Sequence, residues 1–355
     1  MRDDRPSVAL TMGDVAGVGP EVIARAWSGA ALRALARPFV VGDPATLRRA
    51  VALIGGGQAV REIGGPEEAE PTEGVIPCLL ATDRDLAGVR PGVVDARAGG
   101  AAADFLIAAI DLALAGRVDA ITTLPLHKES LHLAGVPHPG HTEILAERCR
   151  APEHAMMLYL ANDAAEAGRA PGLGVLHATL HVALRRVPGL LTVDSVAAKI
   201  RLADEALRPL TGGRPPRVAV AGLNPHAGEN GLFGDEEREV IAPAVARAAA
   251  SGVDVRGPIA ADTLFRRAID GEFDAVVAMY HDQGHVALKT VGFDRAVNVT
   301  LGLPIVRTSV AHGTAFDIAW QGRAETTSLI EAVRVAARIV AGKRAQAGSR
   351  AIAGR

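Results

Sequence analysis

The chain has 355 residues, 49% hydrophobic and 22% charged, with a formal net charge of −2 and a sequence pI near 6.6. That balance suits a folded globular protein and excludes a disordered chain, a basic nucleic-acid binder or a polybasic membrane-surface protein. At this length a single hydrophobic core stops growing, so two lobes are expected. Two cysteines, Cys78 and Cys149, make no disulfide framework and lack metal-ligand spacing. No apolar run reaches spanning length and the first residues lack a signal core, so a cytoplasmic protein with no membrane and no nucleic-acid partner is expected.

In chain order, residues 7–11 read as a first strand, followed by Met12-Gly13-Asp14-Val15-Ala16-Gly17-Val18-Gly19-Pro20. A dinucleotide fingerprint would need a third glycine at Val22, so this is a tight strand-to-helix turn with Pro20 opening the helix, and not a Rossmann site. A second strand covers 39–43, a helix 45–54, an acidic loop 66–74, a helix 98–115 and a short strand 119–123. This alternation predicts an α/β protein with parallel strands and helices on both faces. After a polar stretch that includes Gly140-His141-Thr142-Glu143, strands are expected at 155–160 and 174–178, separated by a small-residue loop from 162 to 171. A long helix at 191–210, a strand at 218–221 and an amphipathic helix at 235–250 follow. Residues 275–279 form one more buried strand, and 303–306 an apolar run whose end carries Arg307. A helix at 325–341 and a frayed basic tail from 343 onward finish the chain.

Residue usage locates the chemistry. Four lysines stand against thirty-four arginines, and two of the four, Lys128 and Lys289, lie in motif-rich segments. Where arginine is the default cation, a lysine there suggests a point charge was wanted. All eleven histidines lie between His127 and His312. His181, His226 and His281 each follow a short apolar strand, and in open α/β sheets ligands bind beyond the carboxyl ends of the strands. Three neutral imidazoles there could hold a divalent transition metal with room for substrate oxygens, and Lys289, Arg295 and Arg307 could hold an anionic substrate. A lone histidine is more often a satisfied polar residue, and spacing alone proves nothing for ligands so far apart.

Six stretches together resemble the 4-hydroxythreonine-4-phosphate dehydrogenase (PdxA) family. They are Gly140-His-Thr-Glu143, Gly222-Leu-Asn-Pro-His-Ala-Gly-Glu229, Ala261-Asp-Thr-Leu-Phe265, Met279-Tyr-His-Asp-Gln-Gly284, Asn298-Val-Thr-Leu-Gly-Leu-Pro304 and Arg307-Thr-Ser-Val-Ala-His-Gly-Thr-Ala315. The resemblance implies the isocitrate/isopropylmalate dehydrogenase-like fold: two αβα lobes with an active-site cleft between them, the first from 1–125 plus 300–355 and the second from 126–299. It implies a homodimer with shared active sites, NAD as cofactor, and one divalent metal per site (Zn, Mg or Co) on His181, His226 and His281. Substrate contacts fall on His141, Thr142, Lys289, Asn298 and Arg307, cofactor contacts on His312, Gly313 and Asp317, and a catalytic role on Asp282.

The implied activity is oxidation and decarboxylation of a phosphorylated four-carbon hydroxy acid, with 4-phosphooxy-L-threonine of pyridoxal phosphate biosynthesis as the first choice. D-threonate or D-erythronate 4-phosphate, or a cis-diol carboxylate, are the alternatives within the family, and a non-catalytic binding homologue is the alternative outside it. The chain departs from the family's usual pattern at Ala178-Thr-Leu-His181, at Val15, at Ala311 and at Trp320, where glycine is frequent.

Overall fold

Short apolar runs with no polar face become strands covered on both sides. The computed structural model describes residues 4–162 and 171–353. Its elements run β1 (Ser7–Thr11), α1 (Gly19–Ser28), α2 (Ala31–Leu35), β2 (Arg37–Gly42), α3 (Pro44–Leu53), β3 (Ala59–Ile63), β4 (Val75–Leu80), α4 (Ala96–Leu114), β5 (Ala120–Thr123), α5 (Lys128–Leu133) and α6 (His141–Arg148). They continue with β6 (Ala155–Ala161), β7 (Gly172–His177), α7 (Val187–Leu190), α8 (Val193–Leu207), β8 (Val218–Ala221), α9 (Ala242–Ala250), β9 (Val255–Ile259), α10 (Ala261–Ile269), β10 (Ala275–Ala278), α11 (His281–Gly292), β11 (Ala296–Leu301), β12 (Arg307–Val310) and α12 (Thr327–Ala353).

Contacts divide the chain into two units, 1–154 with 303–340 and 155–302 with 341–355. Residues 126–154, expected in the second lobe, pack in the first unit because α4 holds them there. Gly99 of α4 sits so close to the first turn of α5 that a Cβ would meet the Ser130 carbonyl at 2.1 Å. In the first unit the strands run in the order β3-β4-β2-β1-β5-β12, all parallel. Asp43 caps α3 by accepting from the Thr46 amide, with Pro44 at the first helical position.

The glycines of residues 12–19 serve packing. A Cβ on Gly19 would meet the Met12 carbonyl oxygen at 2.2 Å, and one on Gly17 the Thr314 carbonyl oxygen at 2.9 Å. The Val18 amide donates to that Thr314 oxygen, so this turn spends its hydrogen bonds on the chain itself.

The second unit has the order β11-β6-β7-β10-β8-β9, with β7, β10, β8 and β9 parallel. Against expectation β6 is antiparallel to both β7 and β11. The chain from 162 to 171 is shorter than the dozen or more residues that a parallel crossover needs. The small-residue loop expected there lies mostly outside the described residues. Two further expectations change. The apolar run at 303–306 is irregular and Arg307 opens β12 instead of leaving a strand. The tail does not fray at 343, because α12 continues through Ala353, and a Cβ on its Gly342 would meet the Pro209 carbonyl oxygen at 2.0 Å.

One ion-pair network anchors the second unit below its sheet. Asp274, 1% exposed, accepts from Arg214 at 2.7 and 2.5 Å, from Arg217 Nε at 3.1 Å and from the Arg217 amide at 2.7 Å. Burial pushes the Asp274 carboxyl up, but Arg214 and Arg217 outweigh it and hold it below its ordinary value of 3.8. Asp274→Ala should therefore destabilise by about 2–4 kcal/mol, less than for a fully buried pair because both guanidiniums keep solvent contact. A depressed carboxyl stabilises above its unfolded pKa and loses that contribution as pH falls below it. The gap between variant and wild type in urea unfolding should thus be full at neutral pH and shrink below about pH 3.8.

Candidate functional site

In the second unit, chain geometry carries three strand ends to one edge. Pairing between β7 and β10 continues beyond the strands, with the Ala178 amide donating to the Ala278 carbonyl and the Thr179 amide and hydroxyl to the Met279 carbonyl. This zips the following segments together and brings His181 and His281 to a ring-centroid separation of 5.7 Å. Gln283 ties in the third strand end: its side-chain oxygen accepts from the Met279 amide at 2.6 Å, and its amide nitrogen donates to the Gly222 carbonyl at 2.7 Å.

His281 is the best defined of the candidate ligands. Its Nδ1 lies 2.6 Å from Asp282 Oδ1, so Nδ1 donates to the carboxylate and the Nε2 lone pair is left for a ligand. Asp282, expected as a catalytic group, is three-quarters exposed and touches His281 directly. Two histidines that sequence reasoning did not single out complete the cluster. His285 stacks on His281 with ring centroids 3.9 Å apart and an interplanar angle of 6°, and His177 lies 4.7 Å from His285. Burial, then the neighbouring imidazoles, pushes His177 down to about 3 and His285 down to about 4, so both are neutral at ordinary pH. A signal was present: 281, 285 and 289 recur at four-residue intervals and share one face of α11. On that face Lys289 is half-buried, with Nζ 5.6 Å from the Phe293 ring centroid.

His226 makes no ring contact with these histidines among the described residues. Its side chain is 66% exposed, 3.9 Å from the Glu229 carboxylate and beside Phe233, with ring centroids 6.1 Å apart. His226, Ala227, Gly228, Glu229 and Asn230 all have φ between 43° and 81°, a left-handed turn that costs about 1–2 kcal/mol per non-glycine residue. Glu237 holds its base, accepting from the Leu223 and Asn224 amides and the Asn224 side chain. A divalent metal needs convergent donors, and of the expected three the ring contact joins His181 and His281. Among the described residues of one chain no group of three such side chains converges.

In the first unit Arg307 is 4% exposed and donates from Nη2 to the Thr123 hydroxyl at 2.6 Å. Burial pushes the guanidinium down to about 9. Burial and then the Arg307 charge hold His141, at the start of α6, well below the ordinary imidazole range, although its side chain keeps some solvent contact. Thr142 follows it, half-buried, and Asn298 is half-buried on β11 of the other unit.

The segment after β12 suits a nucleotide in its donors and acceptors. His312 Nδ1 is held by the Gly313 carbonyl at 2.8 Å, a Cβ on Gly313 would meet nothing within 4 Å, and the Asp317 carboxylate is exposed for sugar hydroxyls. Trp320 takes φ 60°, the conformation that favours glycine, and is held by its indole N–H to the Val15 carbonyl and by Arg49, 4.8 Å above the ring.

The family model described as pyridoxal phosphate biosynthetic protein PdxA matches residues 34–336. The chain is 42% identical to the 4-hydroxythreonine-4-phosphate dehydrogenase of Trichlorobacter lovleyi, over 96% of this chain and 99% of that protein. It is 46% identical to the D-threonate 4-phosphate dehydrogenase of Cupriavidus necator, over 96% of this chain and 98% of that one. The crystal structure of 4-hydroxythreonine-4-phosphate dehydrogenase from Klebsiella pneumoniae superposes with a TM-score of 0.84 at 46% identity, covering 94% and 99% of the two chains. The chain therefore belongs to the PdxA family, and its α/β fold is the isocitrate/isopropylmalate dehydrogenase-like fold of that family.

Proposed function

We propose that the chain is an NAD- and divalent-metal-dependent dehydrogenase that oxidises and decarboxylates a phosphorylated four-carbon hydroxy acid. As a member of a family of dehydrogenases it is an oxidoreductase acting on a CH–OH group. The substrate proposed is 4-hydroxythreonine 4-phosphate, in pyridoxal phosphate biosynthesis. The observation that carries this reading is the end-to-end match to relatives named for that activity. D-threonate 4-phosphate is the second reading, favoured by the relatives named for it at 44–46% identity.

When bound, a divalent metal such as zinc would supply Lewis-acid stabilisation of a substrate oxygen, and NAD would supply the hydride acceptor. His281 and His181 would hold the metal, with Asp282 orienting the His281 ring rather than moving protons itself. His226 would complete the set from a second copy of the chain, in a homodimer with shared active sites. The exposed apolar side chains Leu232 and Phe233 beside His226, and Val286, Val291 and Phe293 on and just after α11, support burial against such a copy.

Lys289 and Arg307 would hold the phosphate and carboxylate, His141, Thr142 and Asn298 the remaining polar groups, and His312, Gly313 and Asp317 the cofactor. Arg307 suits the task because a buried guanidinium attracts a planar oxyanion more strongly than a solvated one. Oxidation beside the carbon that bears the carboxylate gives a β-keto acid, from which CO2 leaves. The two free cysteines suit a reducing compartment, and a cytoplasmic location is part of this proposal.

Mixing inactive chains tests the shared site. His226→Ala refolded with His281→Ala should recover roughly a quarter of wild-type activity, because half of a random mixture is hybrid and each hybrid holds one intact site. His181→Ala with His281→Ala should stay inactive, since those two ligands come from one chain. Recovery in the second mixture and not the first would reverse the assignment.

Lys289 is tested by steady-state kinetics. Lys289→Ala should raise KM for the substrate at least about tenfold, about 1.4 kcal/mol, with the KM for NAD little changed. Lys289→Arg, which keeps the charge but spreads it over a planar group, should recover only part of that loss. Unchanged KM in both variants would make Lys289 a solvated surface charge.

A further inference from the structure

We propose that His177 and His285 form a positioning pair that fixes His281 as a metal ligand; this rests on the metal-site reading above. His285 Nδ1 lies 3.1 Å from His177 Nε2 and 3.2 Å from the carbonyl oxygen of His281. A carbonyl only accepts, so the tautomer that satisfies both contacts carries its proton on His285 Nδ1, which then donates to the His281 carbonyl and to His177 Nε2. The contact joins the end of β7 to the first turn of α11, and the carbonyl it grips belongs to His281 itself.

The same His285 covers the face of the His281 ring at 3.9 Å. His281 is thus held at its backbone and its ring face by one buried side chain, and at Nδ1 by Asp282. Together these contacts fix the direction of the Nε2 lone pair, which is what a metal reads. His177 and His285 are 4% and 6% exposed, whereas Asp282 is in solvent, so the buried pair is the stronger constraint.

Gly284 shows that the local sequence is arranged around this contact. It lies inside α11, where glycine costs about 1 kcal/mol relative to alanine. A Cβ there would meet His177 Nε2 at 2.5 Å and Val175 Cγ1 at 2.6 Å. The helix gives up stability at this position and thereby makes room for the His177 ring. His177 Nδ1 is buried with no hydrogen-bond partner among the described residues, a second expense that packing alone would not call for.

The test uses cobalt(II) added to metal-depleted full-length protein, read by chelator competition and by its visible spectrum. His285→Phe keeps a ring on His281 but removes the bond, and His177→Leu removes it from the other side. Each should weaken cobalt binding roughly 10- to 100-fold and shift the visible bands. His177→Gln, which can still bond to His285 Nδ1, should recover most of the affinity. Wild-type affinity and spectrum in both disrupting variants, or a glutamine variant as weak as the leucine one, would overturn the proposal. Should His177→Leu fail to fold, His285→Phe against wild type decides alone. His281→Ala separates the two levels: retained cobalt affinity there overturns the metal site itself, while loss there beside unchanged His285→Phe overturns only the positioning pair.

Discussion

Parallel strands of one sheet all end on the same edge, and the candidate site of the second unit follows from that constraint. β7, β10 and β8 are neighbours with their carboxyl ends aligned, so the residues after each meet although they are far apart in sequence. Backbone pairing that runs past β7 and β10, and the Gln283 bridge from Met279 to Gly222, turn rough proximity into defined geometry. Everything polar in the cluster is then decided by which side chains are buried. His177 and His285 lie inside and are neutral; His181 and His226 are exposed and His281 is half-buried, so these three can exchange water for a ligand.

The same economy governs the glycines. Those at 17, 19, 99 and 284 look interchangeable in the sequence, yet each faces a different atom at 2.1–2.9 Å once a Cβ is built. At 17 and 19 they seat the first turn on residues 12 and 314, so packing within the chain accounts for them. At 284 glycine admits a histidine. Trp320 is the converse case, a bulky residue in the left-handed conformation held by two contacts at its indole.

Periodicity and composition made most elements legible, because buried runs such as 218–221 and 275–278 have no polar face to confuse the reading. The antiparallel β6 was not legible from its own residues, since the cause is the length of the connection that follows it. Arg307 opens a strand where the sequence placed it at a strand's end: an apolar run in sequence does not say where pairing begins. His181 and His281 could be chosen from their positions after strands, and the structure brings them together. His226 could be chosen equally well, but its side chain is exposed on a left-handed turn beside Phe233, and alternation of strands and polar connections does not encode that turn. His177 and His285 were missed because a histidine that binds another histidine leaves no spacing signature beyond a shared helix face.

The central claim is a metal-dependent oxidation of a phosphorylated four-carbon acid by NAD. The most direct measurement follows NADH absorbance as the purified chain meets 4-hydroxythreonine 4-phosphate and D-threonate 4-phosphate, before and after metal depletion and readdition of zinc, cobalt or magnesium. The account predicts turnover of at least one of the two, release of CO2 in step with NADH, loss on depletion and recovery on readdition. Full activity in the depleted enzyme, or no NADH from either substrate with any of the three metals, would contradict it.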